Sequence, residues 1–477
     1  MVDSRPARGR SSDGEREPDP RGGESPSGDA AGRTGLRSRR AFLATGATVS
    51  LASLVGCLGG GGSTDSPSGD GSDGQSGDGS GSPSGGGTGA VPTTTRTRDY
   101  PDEVVIGSVH PFTGSTSYVG KRLHNAVELA AAIKNENGGI QSMGGAEVRV
   151  EKGDHKNDPT VGGEVTGELI DGGADVLTGT YSSPVTNAAT RTAEAERVPF
   201  VIDISVAASL LQERSLEYVY RTQPNSWHQA SDHVRGFQAV TEQAGIDIET
   251  VGLFYVDTSY GQAIRDGIKR AMEDTDMAVV EEATIGFGGT ADTQVTGFRE
   301  ADPDALFPTV FSNQMLELVD AMQNQDYWPK VFAAAASGGM YGENFQKMGE
   351  AINGALSSGY QMDMTRERAQ EINQRYMNTY DTAAMSDNVA MAYTTGEVIV
   401  EAFEQAGSAD PDALKDALDE ITVSDHVMAM DPITFTDAGE NANPLSVTNQ
   451  VQGMTNYTVF PEEYATRDLD PDGIGRN

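Results

Sequence analysis

Short apolar runs alternate with amphipathic segments through most of the chain after residue 102. Residues 104–107 form one such run, and in residues 123–137 the apolar side chains recur three and four positions apart, as on one face of a helix. The same alternation continues through residues 147–202 and begins again at residue 251. Because alternating strands and helices build parallel sheets with helices on both faces, the pattern predicts an α/β fold.

The alternation occurs in two consecutive blocks. The predicted strands cover residues 104–107, 147–151, 175–178, 199–202, 251–256, 277–283, 306–311 and 331–333. The predicted helices cover residues 123–137, 161–171, 186–196 and 260–274. About 365 residues are too many for one simple core, so we expect two doubly wound parallel-sheet lobes. Ligands bind at the carboxyl ends of the strands in such sheets, and two facing lobes would share one cleft.

Residues 1–101 lack this alternation. Residues 1–36 are rich in Arg, Gly, Ser and Asp and are predicted to be a disordered extension, and residues 58–101 are predicted to be a flexible Gly/Ser/Asp/Thr-rich tether. Between them, at 37–57, Arg39 and Arg40 precede a modestly apolar run that ends at Cys57. The arginine pair indicates a twin-arginine export signal, and the Gly-Cys pair at the end of the run indicates lipid attachment at Cys57.

The apolar run at 41–55 has an alternative interpretation, a short membrane helix with a buried cysteine. The run is about 15 residues long, whereas a spanning helix needs roughly 20. A Gly/Ser/Asp tract follows it, so we expect an exported protein at the extracytoplasmic face of the membrane, attached by its lipid anchor alone. Cys57 is the single cysteine, which excludes an intrachain disulfide and a thiolate metal site.

The chain is strongly acidic, with a formal net charge of −37 and only 8 Lys against 26 Arg. Nucleic acid and anionic lipid headgroups are poor partners for such a surface. An acidic, lysine-poor surface is typical of proteins from strong brine, where salt screens the self-repulsion, and together with the export signal it favours a salt-loving archaeon. An ordinary acidic protein is the alternative.

A series of short motifs resembles one family in order and spacing. They are Ile106-Gly107, Pro111-Phe112-Thr113-Gly114, Asn137-Gly138-Gly139-Ile140, Asn157-Asp158-Pro159, Ser182-Ser183, Val198-Pro199-Phe200, Tyr220-Arg221-Thr222, Tyr260-Gly261 and Ala402-Phe403-Glu404-Gln405-Ala406-Gly407. With these motifs, residues 102–463 are similar to the substrate-binding proteins of ABC importers of the branched-chain amino acid type, which have the type I periplasmic binding protein fold. The family includes binders of leucine, isoleucine and valine, of urea and amides, and of aromatic or organic acids.

The resemblance implies how the chain divides into lobes. The first lobe would comprise residues 102–223 and 356–447, and the second lobe residues 224–355 and 448–466, with 467–477 as a flexible tail. Three crossings, near 222–224, 355–358 and 445–450, would form the hinge between them.

Two loops of the first lobe are candidate ligand sites. Residues 180–184 follow a predicted strand and open a helix, with Ser183 as a good N-cap and Pro184 at the first helical position. The free N–H groups and the hydroxyls of Ser182 and Ser183 could bind an anion or a carbonyl oxygen, although the serines could also merely cap the helix. By resemblance these positions bind the carboxylate of the ligand. The loop after the next strand matches the second ligand loop of the family, at Ser205 and Ala207.

Further candidates come from both lobes. By resemblance, Tyr260 is the aromatic wall contributed by the second lobe, although a tyrosine packed at a helix start is the alternative. Tyr118 is expected to line the wall of the first lobe. Asn313, Gln314 and Ser337 follow predicted strands and are expected to face the cleft.

The loop around Ser337 departs from the family pattern. Amino-acid binders of this family have an acid after the corresponding strand, which pairs with the α-ammonium group of the ligand. Residues 333–339 contain only Ala, Ser and Gly, and the first acid after them is Glu343. A charge in a closed cleft needs a partner, so either Glu343 reaches the ligand or the ligand has no ammonium group. An amide, a urea-like compound or an organic acid is therefore as good a candidate as an amino acid.

No catalytic constellation is recognisable in the sequence. His228 and His233 are five residues apart and lack a third ligand at metal spacing, and there is neither a nucleophile motif nor a phosphate-binding loop. We expect a monomeric binding protein without cofactor or metal, whose partners are a small polar solute and the permease and ATPase subunits of an ABC importer. One alternative is a ligand-sensing receptor with the same fold that acts through a membrane partner. A secreted enzyme is a second, less favoured alternative.

Overall fold

The computed structural model describes residues 100–475 apart from Ser115, Gly338 and Tyr341, and it does not describe the side chains of Gly342 and Glu343. The predicted export signal, lipid-attachment site and tether lie outside the described residues, at Arg39, Arg40, Cys57 and the segments 1–36, 37–57 and 58–99. The described residues 100–475 belong to one compact unit.

The first part of this unit is a regular alternation of strands and helices. Its elements are β1 (Glu103–His110), α1 (Ser117–Glu136), β2 (Glu147–Asp154), α2 (Pro159–Asp171), β3 (Val176–Gly179), α3 (Ser183–Glu196), β4 (Phe200–Ile202), α4 (Ser209–Gln212) and β5 (Val219–Arg221). The strands pair in the order β2-β1-β3-β4-β5, and every pair is parallel. This sheet is the centre of the first lobe.

The alternation then repeats in the second lobe. Its elements are α5 (Ser226–Ala244), β6 (Thr250–Val256), α6 (Ser259–Met272), β7 (Ala278–Ile285), α7 (Asp292–Ala301), β8 (Ala305–Thr309), α8 (Ser312–Asn324), β9 (Val331–Ala334), α9 (Gly342–Met348) and β10 (Leu356–Gly359). The chain continues with α10 (Glu367–Tyr380), α11 (Asp387–Ala406), α12 (Pro411–Glu420), β11 (Val447–Gln452), β12 (Thr455–Phe460) and α13 (Pro471–Ile474).

The second sheet has the strand order β12-β11-β10-β9-β8-β6-β7. Strands β6 to β10 pair in parallel, as predicted, whereas β11 and β12 add an antiparallel hairpin at one edge. The turn of the hairpin places Gly453 and Met454 at φ 59° and 62°, the left-handed conformation that two-residue hairpin turns require. The predicted two-lobe α/β architecture is confirmed, with this antiparallel edge as an addition.

Helices cover both faces of each sheet, which explains why the strands read as continuous apolar runs. In the first lobe, Leu123 and Val127 of α1 and Phe403 of α11 lie in one core, each fully buried. In the second lobe, the ring of Phe237 in α5 packs edge-on against Phe307 of β8 with centroids 4.7 Å apart. The cores therefore lie between each sheet and its helices.

The predicted lobe boundary at residue 356 is wrong. Leu356 of β10 pairs with Ala333 of β9 and with Gln450 of β11, so residues 356–359 belong to the second sheet. A fully buried four-residue strand gives the same sequence pattern in either lobe, and only its pairing partners show to which sheet it belongs. The chain returns to the first lobe after Gly359, where α10 and α11 pack on α1.

The segment predicted to be a flexible tail is ordered up to residue 475. Ile474 of α13 is 2% exposed and lies in the core of the second lobe. The Gln450 side chain donates to the carbonyl oxygen of Asp470 at 2.8 Å and accepts from its N–H at 2.8 Å. The buried side chain of Ile474 and the two hydrogen bonds between Gln450 and the backbone of Asp470 therefore attach the tail to the second lobe.

Candidate functional site

The loops at the carboxyl ends of both parallel sheets face each other. In the first lobe these loops follow β3 and β4, and in the second lobe they follow β6, β8 and β9. Helices α3 and α6, which begin at two of these loops, are in contact across the lobes. Parallel α/β sheets bind ligands at this edge, so the opposed loops form the candidate binding cleft.

Helix α3 begins one residue earlier than predicted. Ser182, rather than Ser183, is the N-cap residue, and Pro184 is the second residue of the helix. The Ser182 hydroxyl makes no capping hydrogen bond, whereas its carbonyl oxygen accepts from Thr186 Oγ1 at 3.0 Å. Ser183 is 8% exposed, and its Oγ accepts from the N–H of Ala207 at 3.5 Å. Thus Ser182 leaves its hydroxyl and the first N–H groups of α3 available to an anionic or carbonyl oxygen.

The loop of Ser205 and Ala207 is fixed from behind by a buried arginine. Arg221 Nη1 donates to the carbonyl oxygens of Ser205 at 2.8 Å and of Ala207 at 2.9 Å. The Ser205 hydroxyl, 1% exposed at the residue level, bonds to Thr186 Oγ1. This hydroxyl is therefore used inside the first lobe, and the loop presents backbone groups rather than the predicted serine side chain.

Tyr260 stands at the start of α6 and is half-buried. Its ring stacks on Phe311 with centroids 5.3 Å apart, and its hydroxyl donates to the carbonyl oxygen of Ala336 at 3.0 Å. The ring of Phe311 in turn stacks on Phe287, whose side chain is 73% exposed. The residue after Tyr260 has to be Gly261, since a Cβ there would lie 2.1 Å from the carbonyl oxygen of Val256. The stacked rings of Tyr260, Phe311 and Phe287 thus line the second-lobe side of the cleft.

Two tyrosines that the sequence analysis did not select complete the aromatic lining. Tyr181 is in the loop before α3, with φ 80°, and Tyr360 follows β10. Burial raises the pKa of Tyr181 to about 12, and burial together with the nearby Tyr181 raises the pKa of Tyr260. Burial also raises the pKa of Tyr360, with smaller contributions from Asp387, Asp203, Tyr260 and Tyr181. The three hydroxyls therefore remain protonated and can donate or accept hydrogen bonds in the cleft.

Asn313 and Gln314 occupy the first turn of α8 but differ in environment. Asn313 is exposed, and its Oδ1 accepts from Asn344 Nδ2 at 2.6 Å. Gln314 is 4% exposed, and its Oε1 has no hydrogen-bond partner among the described residues. An unpaired buried acceptor costs free energy, so Gln314 is the stronger candidate for contact with a ligand donor.

Ser337 joins the two lobes. Its Oγ donates to Asp387 Oδ2 at 2.8 Å, although the two residues are 50 positions apart and Asp387 is the first residue of α11 in the first lobe. Burial raises the pKa of Asp387 to about 6, against the hydrogen bonds from Ser337 and Gln361 that lower it. An acid does therefore stand next to Ser337, but the other lobe provides it. The side chain of Glu343, the acid expected from the sequence, is outside the described part of the chain.

Tyr118 is not brought into this group of residues. Its side chain is 63% exposed, and Arg122 lies over its ring at 5.6 Å from the centroid. Arg122 also donates to the carbonyl oxygen of Ala383 at 3.1 Å, so Tyr118 covers a surface contact between α1 and the loop before α11.

Below the cleft, a series of polar side chains crosses the first lobe. Asp203, directly after β4, lies 2.8 Å from His110 Nε2, and His110 Nδ1 lies 2.9 Å from Ser108 Oγ. Ser108 Oγ also lies 2.9 Å from His124 Nδ1, and His124 Nε2 lies 3.0 Å from Glu128 Oε1. Glu128 is 36% exposed, whereas the other four side chains are fully buried. The series links the floor of the cleft to the surface of α1.

Metal sites and membrane-spanning helices are two further features to consider in the described part of the chain. No group of three or more His, Cys, Asp or Glu side chains within residues 100–475 is arranged to bind a metal ion, the undescribed positions apart. None of the helices in this same part of the chain is long and apolar enough to span a membrane.

Comparison with known proteins agrees with this geometry. The sequence matches a family described as "Periplasmic binding protein" over residues 103–454. It is 24% identical over 378 residues to the Leu/Ile/Val-binding protein homolog 8 of Brucella abortus, covering 76% of this chain and 92% of that protein.

Solved structures share the fold. The leucine binding protein LivK from Thermotoga maritima matches with a TM-score of 0.63 at 18% identity, covering 74% of this chain and 97% of that one. An ABC transporter solute binding protein from R. palustris in complex with benzoate matches with a TM-score of 0.64 at 17% identity, covering 79% of this chain and 99% of that one. The two relatives bind different kinds of solute on one architecture.

Proposed function

Because this chain belongs to the periplasmic binding protein family, we propose that it captures a small polar solute between its lobes and delivers it to the permease of an ABC importer. The family consists of solute-binding proteins rather than enzymes, and its members act outside the cytoplasm. The amino acids, amides, urea-like compounds and organic acids that related proteins bind define the range of candidate solutes.

The observation that carries the proposal is the meeting of the two lobes at the carboxyl ends of their strands. Ser337 of the second lobe donates to Asp387 of the first at 2.8 Å, and α3 lies against α6. A solute between these loops would touch both lobes at once. Such a solute stabilises the closed arrangement by the difference between its affinities for the closed and open states.

Three chain crossings form the hinge of the proposed mechanism, after β5, after β10 and before β11. To move a hinge equilibrium from 1:99 to 99:1, a solute must favour closure by about 5.5 kcal/mol. A few charge-assisted hydrogen bonds and one stacked aromatic ring are sufficient for this. The closed protein would then bind the permease, and opening at the membrane would release the solute.

We assign the solute site to residues that face the cleft in both lobes. From the first lobe these are Ser182, Ser183 and the backbone of the loop at Ser205 and Ala207, and from the second lobe Tyr260, Gln314 and Ser337. Asn313 would contribute at the rim, since it is exposed.

The remaining part of the proposal concerns attachment. The arginine pair Arg39-Arg40 would direct export through the twin-arginine route, and a lipid on Cys57 would hold the domain at the outer face of the membrane through the tether. The net charge of −37 suits a protein that works in concentrated salt, as in a salt-loving archaeon.

The test is a thermal-shift screen of amino acids, amides and small carboxylates in concentrated potassium chloride, followed by small-angle X-ray scattering with each compound that binds. A cleft ligand should raise the unfolding temperature and reduce the radius of gyration. The cleft mechanism would be contradicted by a compound that binds tightly to both the wild type and a Tyr260→Ala variant without reducing the radius of gyration of either protein.

A further inference from the structure

Asp387 is a buried acid without a counter-ion. Its carboxylate accepts from Ser337 Oγ, from the side chain of Gln361 and from the backbone N–H of Asp387, and no Arg, Lys or His of the described residues forms an ion pair with it. Asp387 retains some accessible area although protein surrounds it, as expected for a side chain that borders an internal cleft. A carboxylate in this position is stabilised more by a cation than by neutral donors alone.

The loop of Ser337, which donates to Asp387, also contributes acceptor and aromatic neighbours to the cleft. The carbonyl oxygen of Ala336 lies next to Ser337 and accepts from the hydroxyl of Tyr260. The loop that carries these residues packs on the first turn of α8, since a Cβ on Gly339 would lie 2.8 Å from the carbonyl oxygen of Phe311. Gln314 in that turn has its unpaired buried Oε1.

The aromatic side chains near Asp387 also favour a cation at this position. Tyr260 and Phe311 stack in parallel, and Tyr360 lies close enough to Asp387 for the carboxylate to contribute to its raised pKa. Aromatic faces attract cations through their quadrupole.

We propose that Asp387 is a specificity-determining residue that binds a protonated nitrogen of the solute, an ammonium or guanidinium group, with the acid contributed by α11 of the first lobe. This rests on the proposed solute-binding function and narrows its substrate class to cationic or zwitterionic solutes. In the zwitterionic case, the N-terminus of α3 at Ser182 binds the anionic end. In this structure the Ser337 hydroxyl donates to the Asp387 carboxylate. The nitrogen of the solute replaces that hydroxyl as the donor.

The experiment uses matched pairs of solutes that differ in the cationic nitrogen. The pairs are L-leucine with 4-methylpentanoate, L-phenylalanine with 3-phenylpropanoate, and 4-guanidinobutanoate with 6-methylheptanoate. Dissociation constants are measured by titration calorimetry in concentrated potassium chloride for wild type, Asp387→Asn and the control Asp381→Asn. Asp381 is an exposed acid in the same lobe, six residues before Asp387, so its substitution removes one charge without touching the cleft.

At least one cationic member should bind at least tenfold more tightly than its partner without the nitrogen. Asp387→Asn should lose at least tenfold in affinity for that compound, whereas Asp381→Asn should remain within about threefold of wild type. Asn is nearly isosteric with Asp and removes a buried charge, so the variant should fold, and its unfolding temperature without solute checks this.

Two results would overturn the proposal. If the partners without nitrogen bind as tightly as the cationic members, or if Asp387→Asn binds as wild type does, Asp387 does not select for a cation, while solute binding itself stands. If no compound of either kind binds to wild type in this panel or in the wider screen, the proposed binding function fails with it.

Discussion

Arg221 and Glu440 form a buried bidentate ion pair across 219 positions of sequence. Arg221 Nη2 lies 2.6 Å from Glu440 Oε1, and Arg221 Nε lies 3.0 Å from Glu440 Oε2, with the arginine side chain fully buried. The same guanidinium donates to the carbonyl oxygens of Ser205 and Ala207. One arginine therefore connects the loop after β4, the end of β5 and the segment that leads to β11.

Replacement of Arg221 should be among the most damaging single changes in the domain. Arg221→Met leaves the Glu440 carboxylate buried without its cation and two carbonyl oxygens unpaired, so we expect a loss of about 3–5 kcal/mol in the free energy of unfolding. Chemical denaturation monitored by circular dichroism measures it. The matched control is Arg197→Met, which breaks the exposed pair with Asp412 and should barely move the denaturation midpoint. Equal effects of the two substitutions would mean that the buried pair has no special role.

Tyr260 should contribute to binding more than to folding. Tyr260→Ala removes the ring that stacks on Phe311 and should weaken solute binding by about 1–3 kcal/mol. Tyr260→Phe keeps the ring and removes only the hydrogen bond to Ala336, so its affinity should stay closer to wild type. Calorimetry with whichever solute the screen identifies measures both. A large loss of unfolding free energy with unchanged affinity would make Tyr260 a core residue.

Acid should destabilise the domain through His155. His155 Nδ1 accepts from the N–H of Asn157 at 3.0 Å and Nε2 lies 2.8 Å from the carbonyl oxygen of Thr180, so the buried ring is neutral, and burial lowers its pKa to about 4. Between pH 6.5 and about 4 the unfolded state binds a proton that the native ring does not. Stability should therefore fall with falling pH by up to about 1.4 kcal/mol per pH unit.

His155→Gln removes this titration and should make the acid limb of the stability curve shallower by about one proton. Urea denaturation at a series of pH values measures the slope, and the comparison with wild type cancels the contributions of other groups. Parallel curves for the two proteins would show that protonation of His155 does not contribute.

Cys57 should determine whether the protein stays with the membrane. Cys57→Ser should give a folded protein that is released from membranes, since the lipid cannot be attached. Arg39→Lys together with Arg40→Lys should prevent export altogether. Cell fractionation distinguishes the two results. Retention of the Cys57→Ser protein on membranes after a high-salt wash would disprove attachment through this residue.

The lobes were predictable because their signals are local. Residues 104–107 and 123–137 show strand and helix periodicity by themselves, and both elements are present, with the helix starting earlier at Ser117. The lobe boundary at residue 356 is wrong because β10, with the sequence Leu-Ser-Ser-Gly, is too short and too polar to show a strand pattern. Pairing partners are non-local information, which the sequence pattern does not carry.

The site was predictable only in part, for the same reason. Tyr260 and Gln314 follow strands directly, so their position at the cleft edge follows from the α/β rhythm. Asp387 is 50 residues from Ser337 and opens a helix of the other lobe, and no local pattern indicates that they meet. Ser205 is predicted to be a ligand residue from its place in the loop after β4, and only the packing shows that its hydroxyl bonds to Thr186.

The single hydroxyl proton of Ser108 determines the tautomers of the two histidines in the series from Asp203 to Glu128. Ser108 can donate to only one of the two imidazoles, so Nδ1 of the other must carry a proton and donate to Ser108 Oγ. Two neutral rings therefore have opposite tautomers, with the proton on Nε2 in one ring and on Nδ1 in the other.

The ring that accepts from Ser108 has an Nε2–H that faces a carboxylate, Asp203 in the case of His110 and Glu128 in the case of His124. If the hydroxyl of Ser108 reverses, the two rings exchange tautomers, and this N–H moves to the other end of the series. Hydrogen bonding at the floor of the cleft and at the outer face of α1 is thereby coupled.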